Sequence, residues 1–355
     1  MTNSVNSTCK FLSNGYRFEI DQNNRSVLLS PCCKWDGGPT LPLYSLPVQY
    51  KKYRELVGNI NSNESPYCHI CNYADSKNIP SMRKTLANTP VFEGAEFGDP
   101  SFLEIQIDRT CNAACIMCGP QFSSVWAQEL KIPILPKIRV NYVEKIMRAV
   151  DPSKIRKINF LGGEPFLLDD DLHALEKIPD PSKVYLFYST NGSIYPSKEK
   201  IALWKNFKRV VVSFSIDGVG SRFEYIRYPL SWQQVIDNMK RAQDSMPPNV
   251  VLKICHTVNF FNLYYYDEFL DWSDSIGQSE GTISYNPAFG ILSPSKVTPA
   301  LKELIDLKYG ADHCVTNTVS STDLDPKQIL CYITELDQRR KSNWRSVFPE
   351  IASCL

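Results

Sequence analysis

Cys111, Cys115 and Cys118 stand at Cys-x3-Cys-x2-Cys spacing in Thr110-Cys111-Asn112-Ala113-Ala114-Cys115-Ile116-Met117-Cys118-Gly119-Pro120. Thiolates are soft ligands that select iron–sulfur clusters, zinc or copper(I), and so short a loop can aim three sulfurs at one centre. Three ligands on a four-iron cube leave one iron without a protein ligand, open to a small molecule. The same positions fall at i, i+4 and i+7, so a helix would instead bury them together as small apolar side chains. Gly119-Pro120 closes the segment at once and Thr110-Cys111-Asn112 is polar, which favours a ligand loop.

A second set of cysteines lies upstream. Cys9 stands alone, Pro31-Cys32-Cys33 ends a strand-like run, and Cys68-His69-Ile70-Cys71 makes a Cys-x2-Cys turn. Four thiolates from this set could surround one centre, and spacing suits structural zinc as well as iron–sulfur. Buried free cysteines are the third reading. Few large apolar residues stand here to form a core, so a module of this size needs a staple. Cys255, Cys314, Cys331 and Cys354 fit no ligand pattern.

The elements that must position these groups follow from pattern. The chain has 355 residues, 43% hydrophobic and 22% charged, a composition of soluble globular proteins. Its 39 Lys+Arg against 38 Asp+Glu leave no basic field for nucleic acid. No stretch reaches the length of a membrane span or a signal peptide, and 12 cysteines without a leader point to metal or catalytic use in the cytoplasm. Residues 1–98 begin with a hairpin, strands at 16–21 and 26–30 joined through Gln22-Asn23-Asn24-Arg25, followed by a helix over 49–57. Residues 99–292 alternate strand and helix, the mark of a parallel sheet with crossover helices. Strands are expected at 102–107, 157–161, 184–190, 209–216, 250–259 and 282–287, and helices at 122–130, 141–150, 231–244 and 263–275. Gly162-Gly163-Glu164-Pro165 follows the second of these strands, where glycines permit close backbone approach and a carboxylate can accept from an ammonium group. His256 reads as a satisfied core histidine. Residues 293–355 are helical, opened by Thr298-Pro299 and Asp325-Pro326.

With Gly162-Gly163-Glu164-Pro165 downstream of Cys111, Cys115 and Cys118, the chain resembles radical S-adenosylmethionine (SAM) enzymes. The resemblance implies a partial (β/α)6 barrel, a [4Fe–4S] cluster on the three cysteines, and SAM chelated at the open iron. It further implies a 5′-deoxyadenosyl radical that takes hydrogen from a substrate. SAM-binding residues carried over are Met117, Gly162, Gly163, Glu164, Pro165, Ser189, Asn191, Ser213, Ser215 and Asp217, with Arg227 as a carboxylate partner. Many members carry an aromatic residue where this chain has Met117.

The upstream cysteines, followed by Ser81 and Arg83, resemble the twitch module, a half-size relative of the SPASM domain. That implies an auxiliary [4Fe–4S] cluster on Cys9, Cys32, Cys68 and Cys71, with Cys33 competing for the place of Cys32. Such modules more often follow the catalytic core, and here the match precedes it. Leu336-Asp337-Gln338-Arg339-Arg340 resembles the closing segment of twitch-bearing members, with packing as its expected role. The implied partners are a low-potential flavodoxin- or ferredoxin-like electron donor and a peptide, protein or small-molecule substrate, peptide or protein being favoured. Neither nucleic acid nor membrane is expected. The alternative is a non-catalytic, zinc-stapled scaffold or adaptor.

Overall fold

The computed structural model describes residues 9–21, 26–38, 40–42, 54–76, 81–87, 89–106, 109–132, 142–278 and 282–355. Among them runs one sheet in the order β3-β2-β1-β4-β5-β6-β7-β8-β9. Its strands are β1 Gly15–Asp21, β2 Ser26–Ser30, β3 Leu41–Pro42, β4 Phe102–Gln106, β5 Lys157–Leu161, β6 Tyr185–Thr190, β7 Arg209–Ser215, β8 Val250–Val258 and β9 Ile283–Pro287. From β4 to β9 each strand pairs in parallel with the next. Parallel neighbours need a crossover, and the helices Lys198–Trp204, Trp232–Ser245 and Tyr266–Ser275 supply three of them. In a parallel sheet all the strands end on one side, so the loops that follow them can share a site.

Side-chain alternation gives the sheet two unlike faces. Ile158 and Phe160, Leu186 and Tyr188, and Val210, Val212 and Phe214 are all buried on one face. The opposite face carries Asn159, Phe187, Ser189, Val211 and Cys255, all half-buried. The apolar face packs tightly: Tyr188 stacks on Phe160 with ring centroids 4.9 Å apart and leans on Trp204 at 5.1 Å.

The N-terminal hairpin joins this sheet directly. β1 pairs in parallel with β4, Arg17 opposite Glu104, while β2 returns antiparallel and sets Ser30 opposite Arg17. Phe11, in the short helix Lys10–Asn14, meets the rings of Phe92 and Phe102 edge-on at 5.3 and 5.2 Å. The sequence pattern foretold the hairpin strands but carried no sign of their long-range partner. The expected turn at 22–25, and residues 49–53 of the expected helix, lie outside the described residues, whereas 54–58 are helical.

Helix caps match the sequence signals. Ser231, Thr298 and Asp325 accept from the backbone N–H groups of Gln234, Leu301 and Lys327. The helix expected from 263 begins only at Tyr266, because an asparagine-rich turn precedes it. Asn262 Oδ1 there accepts from the Asn259 N–H at 2.7 Å, and Asn259 Oδ1 from that of Phe261 at 3.0 Å. Among the described residues no helix is long and apolar enough to cross a membrane.

Because Phe11 is 2% exposed between two rings of the neighbouring segment, Phe11→Ala should destabilise the protein by about 3–5 kcal/mol. Denaturant unfolding measures this, and a loss below about 1 kcal/mol would mean that the N-terminal segment does not share the sheet's core.

Candidate functional site

The loop that follows β4 carries Cys111, Cys115 and Cys118 in irregular backbone, not the helix that would have buried them as plain apolar residues. Neighbours hold its main chain. The N–H groups of Ala114 and Ile116 donate to the carbonyls of Tyr228 and Ile226 at 2.6 and 2.9 Å. Ser124 Oγ accepts from the Cys111 N–H at 3.1 Å, and Trp126 Nε1 donates to the Cys115 carbonyl at 2.8 Å. The C-terminal helix Pro326–Arg340 reaches over as well. Tyr332 donates to the Ile116 carbonyl at 2.5 Å and Arg340 Nη2 to that of Ala114 at 2.8 Å. Arg340 also lies over the rings of Trp126 and Tyr228 and pairs with Glu129 at 3.2 Å. This segment therefore does more than pack, a role invisible in sequence because its target is over two hundred residues away.

Gly162-Gly163-Glu164-Pro165 lies against that loop. A Cβ on Gly163 would fall 2.2 Å from the Thr110 carbonyl oxygen, and the Glu164 N–H donates to the same oxygen at 2.8 Å. Gly163 thus admits the backbone leading into the cysteine loop. The Glu164 carboxylate accepts from Thr190 Oγ1 at 2.7 Å, the Asn191 N–H at 2.7 Å and the Phe166 N–H at 3.1 Å. Burial pushes its pKa up to about 7, against the pull of those hydrogen bonds and of Lys200. Lys200 is itself 1% exposed. Its ammonium donates to Asp171 at 2.8 Å and to the Leu168 carbonyl at 3.2 Å, while Tyr188 donates to the other Asp171 oxygen at 2.6 Å. The turn after Pro165 is thereby fixed to β6 by a buried charge network that the sequence did not announce.

The remaining strand ends converge on the same place. Asn191 Nδ2 donates to Asn112 Oδ1 at 2.9 Å and points toward Cys111 Sγ at 4.0 Å. Ser193 completes a ring, accepting from Asn112 Nδ2 at 2.8 Å and donating to Asn191 Oδ1 at 2.6 Å. Ser189 and Ser213 are cross-strand partners, and Ser215 lies opposite Cys255. Met117 is half-buried beside the core. Asp217, fully buried, accepts from the Thr257 N–H at 2.6 Å and pairs with Arg227 at 2.6 Å. Arg227 Nη1 in turn donates toward Cys115 Sγ at 3.7 Å. His256 is a core histidine: Nδ1 lies 2.8 Å from the Ile216 carbonyl oxygen and the ring rests on Phe269. Burial lowers its pKa. Cys255, which fits no ligand pattern in the sequence, stands on the half-buried face of the sheet, where Asn286 Nδ2 donates to its sulfur at 3.1 Å.

The donor set suits a cationic cluster. Burial pushes the Cys111 thiol up to about 11 and Cys118 up to about 12, and raises Cys115 too. Thiolates are costly in such a place unless positive charge arrives with the ligand. Arg227 also keeps one buried atom, Nε, without a hydrogen-bond partner among the described residues.

The upstream cysteines are neighbours in the fold. Cys9 is buried, and Cys32, Cys68 and Cys71 are half-buried. Negative charge on Cys9 and Cys71 would act on both Cys32 and Cys68. Cys33 turns elsewhere, its sulfur 3.5 Å from Met82 Sδ and under the charge of Glu104. Burial raises all four of Cys9, Cys32, Cys33 and Cys68. Arg83 steadies the helix His69–Ser76 by donating to Asp75 at 2.7 Å and to the Ser62 carbonyl at 3.0 Å. Among the described residues no three His, Cys, Asp or Glu side chains converge as tightly as one metal ion requires. A cavity of about 430 Å³ is lined among others by Arg17, Trp35, Gln106, Arg109, Gln121 and Phe122.

Residues 105–271 match the family model of the Radical SAM superfamily. Curated relatives named GTP 3',8-cyclase include one from Pelotomaculum thermopropionicum, 28% identical over 116 residues, covering 32% of this chain and 34% of the relative. Another, from Clostridium acetobutylicum, is 29% identical over 115 residues with the same shares. The match spans about a third of the length of these relatives. Similar solved structures include native anSMEcpe with bound AdoMet, at 17% identity, TM-score 0.41, and 59% and 60% coverage of the two chains. Streptococcus suis SuiB bound to S-adenosylmethionine matches at 11% identity, TM-score 0.39, and 93% and 70% coverage.

Since even one methyl group at Gly163 meets backbone, Gly163→Ala should displace the cysteine loop. Iron retained at that loop after anaerobic reconstitution should fall at least several-fold while the fold, followed by circular dichroism, persists. Wild-type iron content would show that the loop does not depend on this contact.

Proposed function

We propose that this chain, whose residues 105–271 match the Radical SAM superfamily model, is an enzyme that cleaves SAM reductively on a [4Fe–4S] cluster held by Cys111, Cys115 and Cys118. The observation that carries this reading is the tie between the cysteine loop and Gly163, Glu164 and Asn191, which brings three strand ends to one place. The chemistry that a bound cluster and SAM would supply is one-electron C–S cleavage followed by hydrogen abstraction from substrate. The chain's own residues hold three sulfurs, orient the cofactor and keep water out. Ser189, Ser213 and Ser215 are the polar contacts proposed for SAM, and Met117 the apolar one. The Glu164 carboxylate already accepts from the Asn191 N–H, so the two residues shape the pocket before any ligand arrives.

The domain reading places an auxiliary-cluster module at 1–98, a partial barrel at 99–292 and a C-terminal helical segment at 293–355. Cys9, Cys32, Cys68 and Cys71 are the ligands proposed for a second [4Fe–4S] cluster, and the turning away of Cys33 supports Cys32 over it. A low-potential, flavodoxin- or ferredoxin-like donor in the cytoplasm would supply the electron. The favoured substrate is a peptide or protein segment. In the cavity Arg17 is neutralised by Glu19 at 2.7 Å and Glu104 at 3.3 Å, which leaves Arg109 to supply positive charge there. Amide side chains and a tryptophan face suit a peptide. The naming of the curated relatives makes a nucleotide the other substrate to test.

Replacing Cys111, Cys115 or Cys118 by Ala should abolish 5′-deoxyadenosine release under dithionite, because the cube loses its hold. A triple variant that releases it at the wild-type rate, or a colourless wild-type protein loaded with zinc, would favour the scaffold reading instead. Cys68→Ala with Cys71→Ala should remove about four irons per chain and abolish product while slow 5′-deoxyadenosine release survives. Mass spectrometry of peptide and nucleotide candidates after anaerobic incubation with SAM identifies the substrate class.

A further inference from the structure

The resemblance to radical SAM enzymes casts Arg227 as a partner for the SAM carboxylate, yet its guanidinium is already engaged inside the protein. Nη2 is 2.6 Å from Asp217, and Nη1 donates toward Cys115 Sγ at 3.7 Å. Asp217 is 0% and Arg227 8% exposed, so little water screens either charge. The Thr257 N–H fixes Asp217 from the β8 side, and that carboxylate in turn holds the guanidinium of Arg227.

We infer that the Asp217–Arg227 pair sets the reduction potential of a cluster bound through Cys115, with Arg227 a positioning residue that raises it and Asp217 a charge that moderates it. The inference rests on the reading that Cys111, Cys115 and Cys118 hold a cluster. Reduction adds an electron to a centre whose negative charge is shared by its ligand sulfurs. An N–H donor and a fixed cation at one sulfur stabilise the reduced form more than the oxidised one, and a nearby carboxylate opposes that. A buried ion pair is costly to assemble, and a pair serving only stability could be replaced by apolar side chains. Here one member also touches a thiol that the site needs as thiolate. Cys255 and His256 are the other titratable groups that sense this pair, and Arg340 acts on Cys115 from the C-terminal helix.

The experiment is an anaerobic redox titration of the full-length holoprotein, following the reduced-cluster electron paramagnetic resonance signal. The signal that changes on adding SAM identifies the cluster at Cys111, Cys115 and Cys118; the titration itself is run without SAM. Arg227→Met should retain iron and titrate at a lower potential. Asp217→Asn should titrate at a higher one, because the guanidinium charge is then unopposed. Opposite shifts uphold the inference, since loosened packing would not reverse sign between the two. Unchanged potentials in iron-replete variants, or shifts in the same direction, overturn it. Should Arg227→Met lose its cluster, the sign for Asp217→Asn decides alone: upward upholds, unchanged or downward overturns. A wild-type protein with no SAM-responsive iron signal would instead sink the underlying cluster reading.

Discussion

Residues 111–118 must hold three thiols still in a stretch with neither a helical nor a sheet ladder of its own. Buried backbone without such a ladder has to find its hydrogen bonds elsewhere. Here the partners come from every side: the carbonyls of Tyr228 and Ile226, the hydroxyl of Ser124, the indole of Trp126, and Arg340 and Tyr332 of the C-terminal helix. The loop's shape is therefore a property of the whole domain. Gly163 extends the same logic, since the segment after β5 must lie close enough for Glu164 to donate to Thr110.

What the sequence disclosed and what it withheld divide along this line. The cysteine spacing, the Gly-Gly-Glu-Pro turn and the capping residues Ser231, Thr298 and Asp325 are local signals, readable because their partners are a few residues away. The strand ends were legible for a related reason: runs such as Val210-Val211-Val212 mark buried parallel strands whatever their neighbours are. Arg340, Tyr332 and the Lys200–Asp171–Tyr188 network gave no such signal. A lysine in a helix or a tyrosine in a strand is ordinary until the fold sets it against an aspartate. Cys255 escaped because a lone cysteine has no spacing to read. Arg227 was noticed, but the bond to Asp217 is tertiary, and without it the side chain looks available.

The hairpin shows the same limit at a larger scale. Alternation identified β1 and β2, and their composition suggested a module set apart. Register with β4 is instead fixed by long-range burial, with Phe18 and Leu103 both at 0% exposure. A strand that pairs in parallel has no turn to advertise its partner.

That pairing constrains how two clusters could cooperate. Cys9 precedes the start of β1, and Cys32 follows the end of β2, which runs the other way, so both lie beside the first residues of β4. Cys111 lies beyond the last. The strand between them, Phe102–Gln106, spans roughly 13 Å at about 3.3 Å per residue, and a sheet does not stretch. The two cysteine groups are thus held apart by a rigid spacer, too far for direct chemistry on a common atom. Between them lies the half-buried face of the sheet. On that face Arg17, Glu104 and Asn159 stand in one row across β1, β4 and β5. Asn159 Oδ1 is buried there with no hydrogen-bond partner among the described residues. An unsatisfied acceptor costs stability unless something donates to it, so this row across three strands is kept at a cost that the apolar face of the same sheet does not carry.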